Sequence, residues 1–138
     1  MLSGALTYAK AQTVPDQTAL RALVEATESG SVEADQETGD IVIKQRGVAS
    51  WYGRAWRGRR TASGTSFDDR AMTAAHLWLP FATRAHVTNL QNGRSVEVVV
   101  NDRGPYHQGR IIDLSAKAAE VLGIKECGIA EVLVSAQL

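Results

Sequence analysis

The sequence predicts a mainly β fold, a small barrel of five or six short strands with one or two short helices. Three observations carry this. From Gly47 onward, apolar, β-branched and aromatic residues come in short runs separated by Gly, Asn and Asp. Only one later segment carries both a helix start signal and a helix stop signal. At 138 residues, 44% hydrophobic and 22% charged, the chain has material for one core and not for a second complete domain.

Taken in order, residues 1–45 read as a flexible acidic arm and 46–138 as the barrel domain. Residues 1–11 are mostly apolar or small and end in Ala9-Lys10-Ala11, the A-x-A form of a signal-peptidase site, so a remnant of a signal sequence is expected there. Leu20, Leu23 and Val24 recur at near-helical spacing and predict a turn or two of helix within 17–26. Residues 25–40 are rich in Glu, Asp, Ser and Gly, the composition of a tether. The first strand is expected at 47–53, closed by Gly53, and a polar loop follows at 61–69. A short extended segment at 72–76 and a strand at 83–90 come next. Asn92-Gly93 is a hairpin turn, and 95–101 is a strand whose Val96, Val98 and Val100 share one face with Asp102. Residues 110–114 form a strand, and Ser115 caps a helix that Gly123 ends. A last strand covers 128–136.

The zero net charge conceals an asymmetry. Residues 1–45 hold three basic and seven acidic groups, and 46–138 hold twelve and eight. Arg46, Arg54, Arg57, Arg59 and Arg60 fall within one acid-free stretch, interleaved with Trp51, Tyr52 and Trp56. That mixture suits a polyanion or a sugar polymer. A pI near 6.8 argues against nucleic acid as the partner. Cys127 is the sole cysteine, which excludes an internal disulfide and a cysteine-based metal site, and it reads as an idle thiol. The histidines His76, His86 and His107 have no metal-ligand spacing, and no stretch is long enough to span a bilayer. Neither metal nor cofactor is expected.

The stretch from Asn101 to Ser115 concentrates the chemistry. Asp102, Arg103, Arg110 and Asp113 stand at the ends of apolar runs, where a side chain is held rigidly and still faces a cleft.

Seven motifs occur in order: Gly47-Val-Ala-Ser-Trp-Tyr-Gly53, Thr61-Ala-Ser-Gly64, Met72-Thr-Ala-Ala-His76, Leu79-Pro-Phe81, Val87-Thr-Asn-Leu90, Asn101-Asp-Arg-Gly-Pro105 and Arg110-Ile-Ile-Asp-Leu-Ser115. Together they resemble the rare lipoprotein A (RlpA) family over about residues 47–136. The resemblance implies a six-stranded double-psi β-barrel and an endolytic lytic transglycosylase acting on peptide-free peptidoglycan strands. It also implies a periplasmic or otherwise exported location in a bacterium, with cell-division proteins as partners. In such an enzyme a carboxyl group protonates the leaving oxygen, and the C6 hydroxyl of N-acetylmuramic acid closes onto C1. One carboxyl can act first as acid and then as base, so the paired carboxylates of hydrolytic glycosidases are not required.

On this resemblance Asp102, Asp113 and His76 are the expected catalytic residues. Ser63, Thr65, Trp51, Tyr52, Arg103 and Arg110 are expected to contact substrate. One departure matters. Active members commonly read Thr-Ala-Ser-Gly-Glu where this chain has Thr65, and threonine cannot exchange a proton near neutral pH. Asp68 and Asp69 follow it closely. The alternative expectation is therefore a catalytically weak or inactive peptidoglycan-binding module.

Overall fold

The computed structural model describes residues 30–34, 36–53 and 56–138, with Ala22 alone ahead of them. The expected signal remnant lies outside the described residues, as does the helical turn at 17–26 apart from Ala22. Among the described residues there are seven strands: β1 (Gly30–Ala34), β2 (Ile41–Tyr52), β3 (Thr73–His76), β4 (Arg84–Asn89), β5 (Ser95–Asp102), β6 (Arg110–Ser115) and β7 (Ile129–Gln137). One helix, α1 (Ala116–Leu122), lies between β6 and β7.

The strands pair in the order β1-β2-β6-β3-β5-β4-β7, and β7 pairs back onto β2. Six strands thus close a barrel, and β1 is an extra strand laid along β2. Two of the pairings are parallel, β2 with β6 and β3 with β5. The remaining ladders are antiparallel.

The domain boundary expected at residue 46 falls inside β2. Residues 30–34 and 41–45, read from sequence as arm, form the β1–β2 ladder, with Gly30 opposite Gln45 and Ala34 opposite Ile41. Ile41-Val42-Ile43 is the reason: Ile43 is 2% exposed and joins the core, while Val32 packs against it. The surrounding acids had disguised a strand. β2 then changes partner along one edge, from β1 to β6, while its other edge stays on β7.

The core follows the predicted alternation. Val96, Val98 and Val100 of β5 meet Val87 of β4 and Val132 and Val134 of β7, all buried. Burying each such side chain stabilises by about 1.5–3 kcal/mol. α1 matches its sequence signals. The Ser115 hydroxyl accepts the Ala118 N–H and donates to the Ala71 carbonyl at 2.6 Å, and Gly123 takes the left-handed conformation at φ 74°. Buried Ala116, Ala118 and Ala119 let this short helix lie close to the barrel.

Each parallel pair contains a register shift. In β2–β6, Val48 lies opposite Arg110 and Ala49 opposite Ile112, which leaves Ile111 as an extra residue. In β3–β5, Ala74 lies opposite Val100 and Ala75 opposite Asp102, which leaves Asn101 as the extra one. A bulge of this kind re-aims the side chains beyond it. Period-two alternation would have kept Asp102 on the valine face, as the sequence predicts. The shift instead brings it opposite Ala75 and out of the core, half-buried. Gly47 favours the other bulge: a Cβ there would lie 2.6 Å from Ile111 Cγ2, so any side chain would have to displace Ile111.

Candidate active site

Ala75 is the centre of the site. It registers with Asp102 on β5 and with Asp113 on β6, so the two carboxylates flank one methyl group across three adjacent strands. Two strand spacings separate their backbones by roughly 9–10 Å. Both aspartates, Ala75 and Tyr52 line one groove of about 400 Å³, together with Trp56, Arg59, Arg60, Thr61, Phe67 and residues 103–107.

The two carboxylates are held differently. Asp102 Oδ1 accepts the backbone N–H groups of Ala62 and Arg103, each at 2.9 Å. Asp113 Oδ1 accepts the Ser50 hydroxyl, from the residue directly opposite on β2. In both, Oδ2 accepts no hydrogen bond from the described residues. Tyr52 stands two residues beyond Ser50, its ring 4.6 Å from that of Phe67. Its hydroxyl is buried and has no hydrogen-bond partner among the described residues. Burial first, then the charges of Asp102 and Asp113, push its pKa well above the ordinary tyrosine range. The phenol therefore keeps its proton and offers a donor to whatever enters.

His76 does not line the groove. It is 1% exposed, Nε2–H donates to Gln45 Oε1 at 2.8 Å, and Nδ1 accepts the backbone N–H groups of Trp78 and Leu79 at 3.3 and 3.2 Å. Burial, then the Arg103 charge, push its pKa down to about 3, so the ring is neutral. Arg103 lines the groove as a strut. Its guanidinium donates to the carbonyls of His76 and Leu79 at 3.2 and 2.8 Å and lies 3.9 Å from the Phe81 ring centroid.

Thr65 and Ser63 do not line the groove but are hydrogen-bonded to Thr61, which does. Their hydroxyls form a ring with Thr61, at 2.9 Å from Thr61 to Thr65, 3.0 Å from Thr61 to Ser63 and 3.1 Å from Ser63 to Thr65. Neither nearby acid replaces the glutamate that the resemblance expects at Thr65. Asp69 is held by two hydrogen bonds from Arg57, at 2.7 and 2.9 Å, and Asp68 accepts from Arg70. These bonds hold both carboxyls below the usual carboxylate range. Neither lines the groove.

Of the two adjacent aromatics, Tyr52 faces the groove. Trp51 packs against the core, and Lys125 lies 5.8 Å from its ring. Arg110 begins β6 and does not line the groove. Cys127 is free and exposed. Sequence reasoning missed Ser50, Ala75 and Tyr106 as parts of the site. Ser50 had a signal, since it lies two residues before Tyr52 on the same strand. Tyr106 had none.

Comparison with known proteins bears on the family and the fold. A family model described as lytic transglycolase matches residues 44–134. A probable endolytic peptidoglycan transglycosylase RlpA of Synechocystis is 58% identical over 86 residues, 62% of this chain and 27% of the relative. The endolytic peptidoglycan transglycosylase RlpA of Pseudomonas aeruginosa PAO1 is 53% identical over 88 residues, 64% of this chain and 26% of the relative. The matched part thus spans about a quarter of these relatives' length. Among solved structures, the Streptomyces papain inhibitor is similar with a TM-score of 0.54 and 23% identity, covering 69% of this chain and 94% of that one. An expansin of Clavibacter michiganensis gives 0.53 and 24%, covering 69% and 50%. These likenesses support the double-psi barrel.

Proposed function

This chain belongs to the lytic transglycolase family, and we propose on that premise that its groove cleaves the glycan strands of peptidoglycan between N-acetylmuramic acid and N-acetylglucosamine. The observation that carries the reading is the pair of carboxylates, Asp102 and Asp113, set on either side of Ala75 in one groove. Asp113 is the better proton carrier. Its partner is a hydroxyl, which can turn from donor to acceptor as the carboxyl gains or loses a proton. Asp102 Oδ1 meets only N–H donors, which suits a carboxylate that steadies positive charge developing at C1.

The chemistry balances without water. Asp113 gives its proton to the leaving glucosamine oxygen as the C1–O bond breaks. The muramyl C6 oxygen then bonds to C1, and its proton returns to Asp113. The product carries a 1,6-anhydro end. Tyr52 and Trp56 supply a donor and a ring face for the sugars. On this reading the chain acts outside the cytoplasmic membrane, where its substrate lies, and beside the cell-division proteins that remodel it. Among the described residues no helix is long and apolar enough to cross a membrane.

The test is digestion of purified sacculi and of peptide-free strands, followed by mass spectrometry for anhydro ends. Product should form and should vanish in Asp102→Ala and Asp113→Ala. Product unchanged in both variants would sink the proposal. A second reading, glycan binding without turnover, rests on the hydroxyl ring that occupies the place of the family's glutamate. It predicts co-sedimentation with glycan, no anhydro ends, and gain of activity in Thr65→Glu.

A further inference from the structure

We infer that the groove rim holds an anion subsite made by Arg59 and Arg60, and that its ligand is the carboxylate of an acidic sugar beside the bond above Asp102 and Asp113. The inference rests on the glycan-binding reading and adds to it which feature of the strand is recognised. Most described arginines are committed elsewhere. Arg46, Arg57, Arg70 and Arg84 each face a carboxylate, and Arg103 is spent on two carbonyls. Arg59 and Arg60 line the groove and face no carboxylate among the described residues. Arg59 rests 5.2 Å from the centroid of the Trp56 ring, and Arg60 Nη1 donates only to the Gly64 carbonyl at 3.3 Å. Most of their donors are left for a ligand.

Both charges are presented from a set frame. The Arg59 N–H donates to the Trp56 carbonyl at 3.0 Å, its carbonyl accepts the Phe67 N–H at 2.7 Å, and Arg60 forms a β-bridge with Ser66. Trp56 and Tyr106, 51% and 80% exposed, line the same groove as ring faces on which a sugar can stack. The groove therefore joins a floor of two carboxylates to a rim of two cations. A neutral glucan satisfies only the floor. A nucleic acid, with a phosphate on every residue, sets like charges against Asp102 and Asp113. A sugar with one carboxylate set off from its glycosidic oxygen satisfies both. In peptidoglycan that group is the lactyl carboxylate of muramic acid, charged when free and neutral when joined to a peptide as an amide.

The experiment measures retention of the chain, in an Asp113→Asn background that prevents turnover, on four immobilised probes. These are peptide-free glycan strands, the same strands with their carboxyls converted to methylamides, chitohexaose, and a single-stranded DNA oligonucleotide. Free-carboxyl strands should bind roughly tenfold tighter than methylamide strands, about one charge-assisted hydrogen bond discounted for exposure. The preference should shrink as salt rises. It should vanish in Arg59→Gln/Arg60→Gln and persist at threefold or more in Arg59→Lys/Arg60→Lys, which keeps the charges. A preference below twofold, one that survives the glutamine pair, or tighter binding to the oligonucleotide overturns the subsite. Loss of retention on every glycan overturns the glycan reading with it, whereas equal retention of the two strand forms overturns the subsite alone.

Discussion

The two parallel strand pairs use one device to different ends. β2–β6 and β3–β5 each carry a single extra residue, Ile111 or Asn101, and each then presents an aspartate to the same groove. In β2–β6 the carboxylate is anchored within the ladder, by Ser50 on the facing strand. In β3–β5 it is anchored outside the ladder, by the Ala62 N–H of a loop and by its own neighbour Arg103. Matched backbones thus hold one aspartate in rigid sheet and the other at a junction of loops. The first suits a group that must pass a proton along one line, the second a group that must adapt to a bound strand.

The largest expected break in this comparison is chemical. Asp113→Asn keeps a hydrogen-bonding partner for Ser50 but cannot donate the carboxyl proton, and should lower the rate of anhydro-end formation by about 10²–10⁴-fold. Asp102→Asn still accepts both N–H groups and should lose only about 10–100-fold. Losses in the reverse order, measured by timed digestion and mass spectrometry, would exchange the two roles.

Next comes packing on the β2–β6 side. Gly47→Ala forces a Cβ against Ile111 and should cost about 1–3 kcal/mol in denaturant unfolding. A cost near zero would mean that the bulge shifts freely.

On the β3–β5 side the buried His76 ring carries a pH dependence of its own. The folded-state pKa of His76 is depressed to about 3 from an ordinary 6.5, so the unfolded chain binds a proton that the folded chain refuses. Stability contributed by the neutral ring is complete above about pH 6.5 and falls by about 1.4 kcal/mol for each unit below it, levelling near pH 3. Unfolding midpoints at pH 6.5 and 5.5 should differ accordingly, and His76→Gln should flatten the difference. An equal slope in that variant would remove His76 as the cause.

The smallest effect is expected at Ser50. Ser50→Ala removes the hydroxyl from Asp113 and should cost about 1 kcal/mol of stability. Activity should fall by up to roughly tenfold through poorer positioning, with a larger change in kcat than in KM. A change confined to KM would assign Ser50 to substrate instead.

Helix α1 was readable residue by residue, because Ser115 and Gly123 act on their own local backbone. The valines of β5 were readable because burial leaves its period in one strand. The bulges were not, since register belongs to a pair of strands and neither β5 nor β6 alone records it. That is why Asp102 was expected on the valine face and stands on the other. His76 was expected at the reaction centre because its motif is distinctive, but its burial depends on Gln45, far away in sequence. Arg59, Arg60 and Tyr106 come together through loops whose course no local signal sets.

The extra residues Asn101 and Ile111 also mean that this site is kept by counting. Exchange of either residue for another leaves the tally of positions intact, whereas deletion of one slides the following strand by a single place and turns its aspartate toward the wrong side. Over evolutionary time, β5 and β6 should accept changes of letter and reject changes of length, while the loops around the groove remain free to grow and shrink.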